Sequence, residues 1–97
     1  MNEVELFKEI TDRMLEIYKA KNTDYGSSVS DTYRDFGLVS FLVRMQDKMN
    51  RLKTLNKNKA KVLDEKIEDT LLDLANYSIL ALIELKKEDE TNGKEQD

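Results

Sequence analysis

Apolar residues recur along this chain at helical spacing in three blocks. The first is Leu6, Phe7, Ile10, Met14, Ile17 and Tyr18, the i, i+3, i+4 rhythm of an amphipathic helix. It predicts a helix reaching about Lys21, opened by Asn2 with Glu5 three residues on in a capping-box spacing. Glu3, Lys8, Glu9, Asp12, Arg13 and Glu16 fill the opposite face and read as solvated surface. The second block is Leu38, Phe41, Leu42, Met45, Met49 and Leu52, the core stripe of a helix from Gly37 or Leu38 to Leu55. Ser40, Arg44, Asp47, Lys48 and Arg51 fall on a polar arc beside that stripe. The third helix starts near Asp64, a plausible N-cap followed by Glu65 and Glu68 near its positive end. From Leu71 to Leu85 nearly every residue is apolar on all sides, which predicts burial all round. Two further helices of one chain cannot cover such a helix, so the pattern predicts an all-α, three-helix chain that assembles into an oligomeric bundle.

The segments between and after these blocks lack the rhythm. Residues 22–36 hold Asp, Ser and Gly, turn formers that predict a loop. Tyr25, Tyr33 and Phe36 are large for a connector. They either close the end of the core or form a lid that stacks on a planar ligand. Asn56 to Lys61 reads as a lysine-rich turn. Residues 88–97 contain no apolar side chain and predict a disordered acidic tail, leaving residues 1–87 as the folded domain.

Within the apolar run of the third helix, Asp69, Asp73 and Asn76 stand at i, i+4 and i+7 on one face. A buried, unpaired carboxylate is very costly and normally neutralises, pairs or binds a metal. The chain has no Cys and no His, so thiolate sites and imidazole bases are excluded, and a metal would be held by oxygen. That favours magnesium, or manganese. A net charge of −4 argues against a duplex nucleic-acid partner. No signal h-region and no membrane-length apolar run is visible, so the expected compartment is the cytoplasm.

If the second and third helices pack antiparallel, Asp47 could converge with Asp69 and Asp73. Acids that share a space repel unless a hard cation sits among them. Arg44, Lys48 and Arg51 face the same side. Acids that hold a cation, bordered by Arg and Lys, suit a magnesium-bound triphosphate, whose phosphate oxygens the metal bridges while the bases neutralise the rest. The other reading of the same residues is an Arg/Asp ion-pair network between two helices.

Four stretches, Lys21-Asn22-Thr23-Asp24-Tyr25-Gly26, Phe36-Gly37-Leu38, Arg44-Met45-Gln46-Asp47-Lys48-Met49-Asn50-Arg51-Leu52 and Glu68-Asp69-Thr70-Leu71-Leu72-Asp73-Leu74-Ala75-Asn76-Tyr77, resemble the nucleotide modification associated domain 1 family. That family is common in phages and prophages and is related to the MazG-like all-α NTP pyrophosphohydrolases. The resemblance covers about residues 5–87. It implies a helical dimer or tetramer around a nucleotide site, and magnesium-dependent cleavage of a nucleoside triphosphate to monophosphate and pyrophosphate. If phage-encoded, the protein would work in the host cytoplasm.

On this reading Asp47 and Asp73 are the candidate catalytic residues, and Asp47, Asp69 and Asp73 the candidate metal ligands. Lys21, Tyr25, Arg44, Lys48, Arg51 and Asn76 are the candidate nucleotide contacts. The wider MazG pattern has an E-x-x-E pair on one helix and E-x-x-D on the next. Here Arg44 stands where the first acid would fall, and Asp69 and Asp73 are four apart, with Glu65 or Glu68 available as a further ligand. Non-catalytic binding, such as sequestration of a signalling nucleotide, is therefore the alternative function. A helical oligomerisation module whose acids only pair is the third.

Overall fold

The computed structural model describes residues 1–25, 27–58 and 64–96, with side chains described for all of these except 23–25, 64–65 and 92–96. Among the described residues all regular structure is helical, in the order α1 (Glu3–Tyr25), α2 (Ser28–Phe36), α3 (Val39–Lys57) and α4 (Asp64–Gln96). Among the described residues there are therefore four helices where the periodicity predicts three. None of them is long and apolar enough to cross a membrane among the described residues. The chain forms two compact units, Met1–Asp31 and Thr32–Asp97.

The first unit is built on α1, and its start follows the predicted capping box. The Asn2 Oδ1 accepts the backbone N–H of Glu5 at 2.8 Å, and the Asn2 side-chain amide donates to Glu5 Oε1 at 2.9 Å. One of the backbone N–H groups that a helix start leaves over is thereby satisfied, and the second bond ties the two side chains together in place of the Asn2 backbone N–H of a full box. Leu6, Phe7 and Ile10 are exposed. The helix continues four residues past Lys21, to Tyr25.

The expected 22–36 loop is mostly helix. Ser27 occupies the position before α2 and donates its hydroxyl to the Asp31 carboxylate at 3.3 Å. Turn-forming composition is a weak local preference, and one buried side chain outweighs it: Tyr33 of α2 is 8 % exposed. The helix ends at Gly37, whose φ of +69° is a left-handed conformation that favours glycine. Its N–H donates to the Tyr33 carbonyl at 2.7 Å, and its own carbonyl accepts the Ser40 N–H and hydroxyl as α3 begins. A two-residue link thus joins α2 to α3. The far end of α3 closes on Asn58, whose backbone N–H and side-chain amide both donate to the Thr54 carbonyl. The lysine-rich turn beyond it falls largely outside the described residues, as does the side chain of Asp64 that was expected to cap α4.

In the second unit α3 and α4 pack as an antiparallel pair, since contacts advancing along α3 retreat along α4. Phe41 (2 % exposed), Leu55, Ala81 and Tyr33 form the core. The stripe on α3 is turned from its predicted position: Met45 and Leu52 are half-buried, while Leu38, Leu42 and Met49 are exposed. The buried acid of α4 is also another than expected. It is Glu84, 8 % exposed and paired with Lys87 at 3.3 Å. Asp69 is exposed and Asp73 half-buried. Leu71, Ile79, Leu82 and Leu85 are exposed as well, so one chain covers α4 on one side and not all round. The helix is continuous to Gln96, across the segment read from composition as an acidic tail.

Tyr33 ties the α2 end of this unit to α4. Its ring lies 5.8 Å from that of Phe41, tilted by 44°, and its hydroxyl donates to Glu88. That hydrogen bond first, then burial and the charges of Glu88 and Glu84, hold the phenol above its ordinary pKa of 10.0. Between the ordinary and the raised value the folded chain keeps a proton that the unfolded chain has released. Stability from this contact is therefore fully present below pH 10.0 and falls as pH rises through the folded value. Phenolate absorbance against pH is expected to show one late-titrating tyrosine, and Tyr33→Phe to remove that late phase. A titration curve with no late component to lose would disprove the contact.

Candidate anion site on the α3–α4 seam

Three basic residues of α3 stand at i, i+4 and i+7: Arg44, Lys48 and Arg51. This spacing places them on one face over about 10 Å of helix. Three residues of α4, Thr70, Asp73 and Tyr77, stand at i, i+3 and i+7 and meet them in reverse order. Lys48 Nζ donates to Asp73 Oδ2 at 2.9 Å. Arg51 Nε donates to the Thr70 hydroxyl at 3.3 Å. The Arg44 guanidinium carbon lies 5.9 Å from the centre of the Tyr77 ring, within reach of a cation–π attraction. The result is a ladder of three rungs along the seam.

The rungs differ in charge. Lys48 is balanced by Asp73, and their side chains are 27 % and 39 % exposed, so screening holds the pair to about 1 kcal/mol or less. Arg44 and Arg51 are held by a ring and a hydroxyl, which orient them and cancel nothing. Among the described residues neither makes an ion pair. Of the three cations only Lys48 thus contacts a carboxylate among the described residues, and the two arginines are oriented without an ion pair. Arginine presents planar, paired donors that match phosphate or carboxylate oxygens.

The remaining candidates fall around the ladder or apart from it. Asp47 and Asp69 stand at the edge of the seam, about 100° around their helices from Lys48 and Thr70 but only about 40° from Arg51 and Asp73, and both are exposed. Asn76 is half-buried, one turn from Asp73. Lys21 is exposed on α1 in the other unit. The side chains of Tyr25 and Glu65 lie outside those described, and Glu68 is exposed. Thr70 and Tyr77 were not singled out from sequence. Their one signal is spacing from Asp73, three residues back and four forward.

Magnesium was expected among Asp47, Asp69 and Asp73, whose all-oxygen chemistry suits it. The arrangement within one chain does not. Asp73 spends an oxygen on Lys48, and among the described residues no three acids are gathered closely enough to hold a metal ion.

A family model described as nucleotide modification associated domain 1 matches residues 21–85, a span that holds the whole ladder. No curated protein matches the chain, and no solved structure does.

Proposed function

The chain belongs to the nucleotide modification associated domain 1 family, and from that premise we propose that it binds a nucleotide by its phosphates along the Arg44–Lys48–Arg51 row. One observation carries this reading: Arg44 and Arg51 are oriented by uncharged partners, so their charge is left for a ligand anion. Phosphate oxygens meet the two guanidinium groups, and Lys48 divides itself between ligand and Asp73. Asn76 offers an amide beside the row. The site is cytoplasmic and works in a homodimer or homotetramer, which would cover Leu71, Leu82 and the other exposed apolar residues of α4. A phage origin and kinship with MazG-like proteins, both implied by the sequence resemblance, fit this reading.

Of the functions read from sequence, binding is the one this geometry favours. Pyrophosphohydrolysis with magnesium needs Asp47, Asp69 and Asp73 at one cation, an arrangement that residues from a second copy would have to complete. A pyrophosphate-release assay over the NTPs and dNTPs with magnesium, beside a thermal-shift screen of the same compounds, separates the outcomes. Stabilisation by a nucleotide without release is expected. Release would make the protein a hydrolase, and silence in both would leave a helical assembly module.

A further inference from the structure

Thr70 of α4 is buried at 2 % exposure, beside leucines where valine would be the simpler β-branched choice. Its hydroxyl is engaged both as donor and as acceptor. It donates to the Lys66 carbonyl at 2.7 Å and accepts Arg51 Nε–H at 3.3 Å. The first bond is the ordinary recourse of a threonine inside a helix. It also fixes the hydroxyl hydrogen, so a lone pair is turned outward to α3. The second reaches across the seam to an exposed side chain.

We propose that Thr70 is a positioning residue that holds the Arg51 guanidinium end-on for a phosphate group, an inference that rests on the nucleotide-binding reading above. A guanidinium has five N–H donors. With Nε engaged by Thr70, the four on the two terminal nitrogens remain, and one from each nitrogen forms the end-on edge that takes two oxygens of one phosphate in parallel bonds. A side chain as long as arginine otherwise loses substantial rotamer freedom on binding. Thr70 has part of that ordering in place beforehand, at no expense of positive charge. Asp73 cannot play this role for Arg51, because a carboxylate there would neutralise the group it orients.

The test uses the full chain and inorganic tripolyphosphate as probe, titrated calorimetrically without metal beside a nucleoside triphosphate. Thr70→Val is expected to weaken tripolyphosphate binding about tenfold, a factor corresponding to about 1.4 kcal/mol, and Thr70→Ser to restore it. In an Arg51→Ala background Thr70→Val should add no further loss, since the interaction it removes is already gone. Arg51→Lys keeps the charge but not the planar fork, and is expected to lose as much as Thr70→Val. This surface change serves if the valine variant does not fold. Wild-type binding that both Thr70→Val and Arg51→Lys retain in full would overturn the inference alone. An equal loss from Thr70→Val with and without Arg51 would overturn it too, assigning the effect to packing. If the wild-type chain binds neither probe, the nucleotide reading fails and takes the inference with it.

Discussion

Replacing Phe41 by alanine is expected to destabilise the second unit by about 3–5 kcal/mol, as emptied aromatic core positions do. The ring is 2 % exposed and packs against Tyr33 at 5.8 Å. Its loss removes apolar burial and an aromatic pair worth about 0.5–1.5 kcal/mol beyond area. The neighbours are helices fixed at other points, so the space closes only in part. Small domains have about 5–15 kcal/mol of stability altogether, which makes this substitution near-decisive. A urea melt monitored by circular dichroism is the measurement. A loss below about 1 kcal/mol, the size of an ordinary surface effect, would mean that the α3–α4 core is centred elsewhere.

The largest functional effect is expected from Arg44→Ala combined with Arg51→Ala. A hydrogen bond to a charged group contributes about 1.5–3 kcal/mol, so removing both arginines should weaken nucleotide binding at least a hundredfold. Binding by the wild type should fall with added salt, and most of that dependence should vanish in the double variant, because those two carry the charge of the row that no carboxylate contacts. Stability should change little, as both side chains are exposed. Calorimetric titration at two salt concentrations, with a melt of the same samples, reads all three quantities. Nucleotide affinity undiminished in the double variant would remove the row from the site.

The sequence by itself determined the helical class and the composition of the row. Without proline, and with apolar residues at steps of three and four, the chain favours helix over strand. The Asn2–Glu5 box was readable because a cap involves only neighbours within one turn. The alignment of Arg44, Lys48 and Arg51 was readable for the same reason: helix geometry alone puts such positions on one face. The family was legible too, in the runs that hold these residues, and the match over residues 21–85 bears it out. The segment 22–36 was not. Its serines and aspartates favour turns locally, and it is the burial of Tyr33 against Phe41, a contact outside the segment, that favours helix.

Which α4 residue meets which α3 residue was decided only by the tertiary structure. Asp69 and Thr70 are neighbours in sequence but about 100° apart around the helix, as are Asp47 and Lys48. The sequence pattern allowed an antiparallel pairing that brought the acids together. The packing of Phe41, Leu55 and Ala81 sets a rotation that turns Thr70 and Lys48 into the seam and leaves Asp69 and Asp47 at its exposed edge. The same rotation leaves Asp73 opposite a lysine, while Arg51 meets a hydroxyl and Arg44 a ring. One chain can shield only one side of α4, which is why Leu71 and Leu82 are exposed although their composition reads as core. Periodicity constrains a helix's faces relative to one another, and only the helix packed beside it selects which face turns inward.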